Sequence, residues 1–179
     1  MTNTSIKFDP LTPANEDHPT RINSEKENWQ IISPVPNEAS LQIPKHRLGE
    51  PSEKWHYLDS EGQMLFAICR FDTETGKEVL PLSYGQDEKG PHWKWKGHPD
   101  PRPLYGLDRL AARPDSPVII CEGEKAADNA EEIFPDLVAV TSSGGSKAAM
   151  KSDWSPLNGR EVTIWGDHDE PGRVYASKV

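Results

Sequence analysis

Residues 117–125 read PVIICEGEK, residues 137–147 read LVAVTSSGGSK and residues 161–172 read EVTIWGDHDEPG. All three have the same form: a short run rich in apolar residues that stops abruptly in a polar cluster containing glycine. Short apolar runs bounded by turn residues suit strands buried on both faces. Between the first two runs lies EKAADNAEEIF, whose Ala126, Ala127, Ala130, Ile133 and Phe134 are spaced for one side of a helix. SKAAM opens a short helix before the third run, and PGRVYASKV begins another with Pro171 near its first turn. Strand–helix units repeated three times predict an α/β fold. Residues 117–121, 137–141 and 161–165 should be neighbouring strands of a parallel sheet with helical crossovers.

Outward from this core, towards the N-terminus, the period changes. WHYLDSEGQMLFAICRFD reads as strand, turn, strand, with Asp59-Ser60-Glu61-Gly62 supplying the turn. FDTETGKEVLPLSY gives a second hairpin signal around Thr75-Gly76, and GPHWKWKG alternates Trp93 and Trp95 with Lys94 and Lys96. Residues 55–97 therefore predict a small antiparallel sheet. The tryptophan–lysine strand has two readings: a platform that stacks bases and neutralises phosphates, or a half-buried strand with its aromatics inward. DPRPLYGLDRLAARPDSP is a connector with a short helix near Gly106–Ala112. Residues 1–50 are rich in proline and polar residues and read as a flexible leader, within which NWQIISPVP could add one edge strand. The expected divisions are 1–50, 51–112 and 113–179.

Composition narrows the function classes. Of the 179 residues, 34% are hydrophobic, and 29 acidic residues against 20 Lys and Arg give a net charge of −9. A free-standing nucleic-acid binder carries a basic field, so any contact with nucleic acid must run through a local patch, a metal or a partner. Cys69 and Cys121 form no CxxC pair, which excludes a zinc ribbon and a disulfide framework. Residues 1–20 hold no apolar signal-peptide core, and no run approaches transmembrane length. The expectation is a cytoplasmic protein with no membrane partner.

Ligands of open α/β sheets sit beyond the carboxyl ends of the strands. There the sequence puts Glu122-Gly123-Glu124-Lys125, then Ser142-Ser143-Gly144-Gly145-Ser146-Lys147, then Gly166-Asp167-His168-Asp169. Asp167 and Asp169, two apart, can face the same way, and Glu122 can join them from a neighbouring strand. Three close carboxylates repel unless a cation lies between them, and a hard cation such as Mg²⁺ or Mn²⁺ prefers oxygen ligands. Ser143, Gly144 and Gly145 could present backbone N–H groups to an anion, with Lys125 and Lys147 beside it. Glu124 suits either the site or the first turn of a helix. His168 should alternate away from the aspartates.

The Glu-Gly, Gly-Gly-Ser-Lys and Asp-x-Asp-x-Pro-Gly set, each element following an apolar run, resembles the signature of Toprim domains. The phrases CEGEKAADN, TSSGGSKAA and HWKWKGHPDPRPLYGLDRLAAR resemble the Toprim region of phage and mobile-element DNA primases and primase-helicases, over roughly residues 54–179. The resemblance implies a Toprim-like parallel sheet preceded by a small antiparallel β unit. It implies Glu122, Asp167 and Asp169 as catalytic and metal-binding acids, and Mg²⁺-dependent nucleotidyl transfer in primer synthesis for DNA replication. It also implies DNA, RNA and nucleotides as partners, beside a helicase domain or protein. Toprim domains continue beyond the length seen here, so residues 113–179 read as the N-terminal part of one, and the isolated chain is expected to be inactive. Alternatives are a Toprim-type nuclease or strand-cleaving enzyme, and a non-catalytic fragment that binds nucleic acid or a partner.

Overall fold

The computed structural model of the chain describes residues 28–39, 43–145 and 148–179. Its first layer is an antiparallel sheet of five strands, β1 (Gln30–Ile31), β2 (Glu53–Leu58), β3 (Met64–Thr73), β4 (Gly76–Asp87) and β5 (Gly90–Lys94). The path runs β1-β4-β3-β2, with β5 also paired to β4. The hairpins form where turn chemistry predicts them. Asp59 Oδ1 accepts from the N–H groups of Glu61 and Gln63 at 2.9 and 2.8 Å, and Gly62 takes φ +80° to close the β2–β3 turn.

The second layer is a parallel sheet of β6 (Val118–Cys121), β7 (Val138–Val140) and β8 (Val162–Trp165), in the order β7-β6-β8. The three neighbouring parallel strands expected from the apolar runs are present, and the fold is mixed α/β. Helices α1 (Leu107–Ala112), α2 (Glu124–Ile133) and α3 (Glu170–Lys178) accompany the sheet. Before β8, the chain forms two single turns of 3₁₀ helix at Ala149–Lys151 and Ser155–Leu157. SKAAM thus gives one tight turn where a helix start was expected; Ser146 and Lys147 lie outside the described residues.

Strand alternation sorts the core. Ile119, Cys121 and Ala139 face α2 and the aromatic side of the antiparallel sheet, through Trp55, Tyr57, Phe66 and Ile68. Val118, Ile120, Val138 and Val140 face the other way, onto Leu110 of α1 and Tyr175 of α3. On α2 the buried stripe is Ala127 and Ala130, with Phe134 beyond the helix end, whereas Ala126 and Ile133 are exposed. Positions 126 and 133 are one heptad apart on a neighbouring stripe, so five apolar residues do not make one face.

The described part of the 1–50 segment is bound to the antiparallel sheet. Trp29 and Val35 are buried, and β1 pairs with β4 through Gln30↔Gln86 and Ile31↔Gly85, which makes NWQIISPVP the edge strand. On β5 and beyond, Trp93 packs against Tyr84, and Trp95 packs against Phe71 and His46. Lys94 and Lys96 lie over the ring of Trp29. The tryptophans therefore pack onto the core of the antiparallel layer. No helix among the described residues is long and apolar enough to cross a membrane.

Candidate metal and phosphate site

The order β7-β6-β8 puts β6 in the middle, so the residue that follows it is flanked by the loops leaving both neighbours. That residue is Glu122. It is half-buried, and its Oε2 is shielded from solvent with no hydrogen-bond partner. Burial pushes its carboxyl above the usual range. The backbone N–H of Asp167 opposes that shift, the charges of Asp167 and Asp169 add to it, and Lys77 opposes it. The charges of Asp167 and Asp169, in the loop after β8, thus reach Glu122. A buried, unpartnered carboxylate oxygen beside two further carboxylates is a set of donors that a hard cation would relieve. Among the described residues, however, no three His, Cys, Asp or Glu side chains close around a metal ion in this conformation.

Asp167 and Asp169 are exposed and differ in their local duties. Asp169 is the N-cap of α3: its Oδ1 accepts from Gly172 N at 2.8 Å. Gly172 is held by steric need. A Cβ there would stand 2.1 Å from Asp167 O, and a Cβ on Gly166 would meet Gly172 O at 2.9 Å. The Asp-x-Asp-x-Pro-Gly loop therefore folds so closely on itself that only glycine at position 172 lets the Asp167 backbone sit where it does. His168, between the two aspartates, is exposed.

Behind β7, Ser143 is buried, and Gly144 and Gly145 both adopt left-handed φ, +91° and +62°. A Cβ on Gly144 would lie 3.3 Å from Arg102 Nη1, so the guanidinium borders this loop. Arg102 is oriented by Asp100, Nε to Oδ1 at 2.9 Å. The adjacent Ser142 hydroxyl is 3.1 Å from the Tyr175 hydroxyl, which ties the loop to α3. Lys147 falls outside the described residues. Lys125 Nζ reaches Glu53 Oε1 on β2 at 2.6 Å, an ion pair between the two layers.

Glu124 has the helix position that the sequence allowed, first residue of α2, but its carboxylate is buried and accepts from Tyr57 OH at 2.8 Å. Burial raises its pKa, and the Tyr57 hydroxyl lowers it. Asp128, one turn on, gathers Trp55 Nε1, Tyr105 OH and Arg109 Nη2 at 3.0, 2.8 and 2.7 Å. Both contacts fasten α2 to β2. Cys69 and Cys121 are buried free thiols, each pushed up to about 11 by burial. A concavity of about 520 Å³ between β2 and α1, lined by Trp55, Tyr105, Arg109 and Asp128 among others, lies apart from the three acids.

Sequence reasoning missed Arg102, whose guanidinium borders the Gly144 loop, and Tyr175, whose hydroxyl meets that of Ser142.

No protein-family model matches the chain, and no curated protein does. Among solved structures, a chain from the complex of bacteriophage T7 lagging-strand DNA polymerase with primase domains of two gp4 subunits, bound to an RNA/DNA hybrid and dTTP, is similar at TM-score 0.47 and 17% identity. The similarity covers 70% of this chain and 57% of that one, so the chain spans little more than half the length of its neighbour.

Proposed function

We propose that this chain carries the Toprim-type, divalent-metal centre of a DNA primase or primase-helicase, acting on nucleotides and a nucleic-acid template beside a helicase domain or protein. The observation that carries this reading is Glu122 Oε2, buried without a partner at the end of the central parallel strand, next to the charges of Asp167 and Asp169. Glu122 and Asp167 would hold Mg²⁺ or Mn²⁺, with Asp169 contributing Oδ2, since Oδ1 is committed to the cap. When bound, the ion would neutralise the acids and polarise nucleotide phosphates for nucleotidyl transfer. The chain's own residues position that chemistry. Gly172 and the α3 cap fix Asp167, the Tyr57–Glu124 bond fixes the start of α2, and the Ser143–Gly145 turn offers backbone N–H groups to phosphate.

A non-catalytic module that binds nucleic acid or a partner is the second reading, supported by the open arrangement of the acids among the described residues. Titrating Mn²⁺ into the full chain while following paramagnetic broadening tests the metal site. Broadening should centre on the loops after Cys121 and Trp165. It should vanish when both Asp167 and Asp169 are changed to Asn, which keeps size and capping ability and removes charge. Broadening elsewhere, or unchanged in the double variant, overturns the metal assignment.

A further inference from the structure

The connector before α1 is pinned at two points. Arg102 bridges Ser152 in parallel: its N–H donates to Lys151 O at 2.7 Å, and its carbonyl accepts from Asp153 N at 2.8 Å. Tyr105 bridges Thr141 in the antiparallel sense, its N–H donating to Thr141 O at 2.9 Å. Residues 102–105 therefore join the two ends of the stretch that contains the Gly144–Gly145 turn, and backbone bonds hold them there.

Bridged residues of neighbouring strands project to the same side. On the side shared by Arg102 and Ser152, the guanidinium meets the turn: a Cβ on Gly144 would stand 3.3 Å from Arg102 Nη1. Asp100 Oδ1 takes only the Nε group, at 2.9 Å, and neither Nη donates to a described residue. Ser152 is 8% exposed, and its Oγ is buried with no hydrogen-bond partner. A hydroxyl left so is costly, and a ligand oxygen would satisfy it. Gly144 and Gly145, both at left-handed φ, shape a turn whose successive N–H groups suit an anion.

We infer that Arg102 and the Gly144–Gly145 turn form one binding site for a phosphoryl group, with the guanidinium as its cation and Ser152 Oγ as a further donor. This rests on the reading of the turn as a phosphate site, and it needs no metal ion. The ligand chemistry is a phosphoryl oxygen, from a nucleoside triphosphate or from a nucleic-acid backbone. A guanidinium whose Nε is occupied still offers both Nη groups, the planar fork that grips phosphate through two bonds. Asp100 and the backbone bridges hold that fork in place before the ligand arrives, so little ordering opposes binding.

Asp100 sets two opposite effects. Its carboxylate orients Arg102 and lies 4.0 Å from Lys151 Nζ, and its charge opposes the pull of both cations on an anion. Neutralising Arg102 should therefore weaken phosphate binding, and neutralising Asp100 should tighten it. Damage to the connector would weaken binding in both variants.

The experiment titrates ATP and a short oligodeoxythymidylate into the full chain in EDTA, following backbone amide spectra. The amides of Gly144 and Gly145 should move with at least one probe. Arg102→Gln should bind that probe roughly tenfold more weakly, the loss of one charge-assisted contact. Arg102→Lys, which keeps the charge and loses the fork, should fall between that variant and the parent. Asp100→Asn, which keeps an acceptor for Nε, should bind more tightly. Ser152→Ala should bind several-fold more weakly while its Tm does not fall, because no hydrogen bond of the free protein is lost; unchanged binding would remove the hydroxyl from the site. Lys89→Gln in the β4–β5 turn should match the parent. A loss confined to ATP identifies a triphosphate, and a loss with the oligonucleotide identifies the backbone. If the Gly144 and Gly145 amides respond but Arg102→Gln binds like the parent, or Asp100→Asn weakens binding as well, the Arg102 assignment is overturned and the turn stands as a phosphate site. If neither probe moves these amides in the parent, the phosphate reading of the turn fails and this inference fails with it, whatever Mn²⁺ does at the acids.

Discussion

Single residues in this protein carry paired duties, and the pairing fixes what each can be replaced by. Asp169 caps α3 with one oxygen and carries a charge besides, so Asn preserves the helix but not the charge. Glu124 and Tyr57 satisfy each other in a buried setting where either alone would lack a partner. His98 shows the same economy on the connector before α1. Its Nδ1 pairs with Pro99 O at 3.1 Å, its Nε2 lies 3.4 Å from Ser33 Oγ, and its ring leans on Phe66 at 5.1 Å. Burial pushes its pKa below the ordinary 6.5, against the Pro99 carbonyl and aided by the charge of Arg102. The folded state then holds fewer protons than the unfolded state just below 6.5. His98 should therefore contribute stability that is full above 6.5 and is lost as pH falls towards its lower folded value. Urea midpoints measured on both sides of 6.5 should drop on acidification, and His98→Gln should shrink that drop. A variant with an undiminished drop would assign the dependence to other groups.

At the scale of elements, close approach does much of the joining. β1 has only two residues, too few to hold by its ladder, yet it stays on β4 because Gly85 leaves room for the indole of Trp29. A Cβ at position 85 would sit 2.3 Å from Gln30 O and 2.6 Å from Trp29 Cζ2. Gly85→Ala should cost about 1–3 kcal/mol, as overpacking does. It should also detach the Trp29 segment, seen as a red shift of tryptophan emission that disappears in a Trp29→Phe background. Loss of stability without that shift would place the strain elsewhere. The β5 strand shows how context decides an ambiguous pattern. Period two was readable, but which face is inward depends on Tyr84, Phe71 and His46, which arrive from other elements. The same holds for α2, where neighbouring layers choose Ala127 and Ala130 over Ala126 and Ile133.

Across the whole molecule, the parallel sheet and its carboxyl-end acids were legible because each apolar run ends sharply in polar residues, and strand direction then fixes which edge those residues share. The face that the antiparallel layer turns to α2 was not legible. The parity linking Arg70, Asp72 and Lys77 follows once the hairpin register is known, but which face meets α2 is a property of packing. The linkage between the Gly144 loop and α3 through Tyr175 is likewise tertiary. One strand sets the molecule's behaviour in solution. All four residues of β8 are exposed, Val162, Ile164 and Trp165 at 38%, 39% and 48%, and its only ladder among the described residues is with β6. A bare apolar edge is a template for another chain. Against it stands the net charge of −9, which keeps copies apart at distances that salt shortens, to about 8 Å at physiological ionic strength. The protein should accordingly be colloidally stable in dilute buffer and self-associate as salt is raised, with light scattering growing with ionic strength and Ile164→Lys staying monodisperse. Scattering that instead falls with salt would mean that charge, not the open edge, draws the copies together.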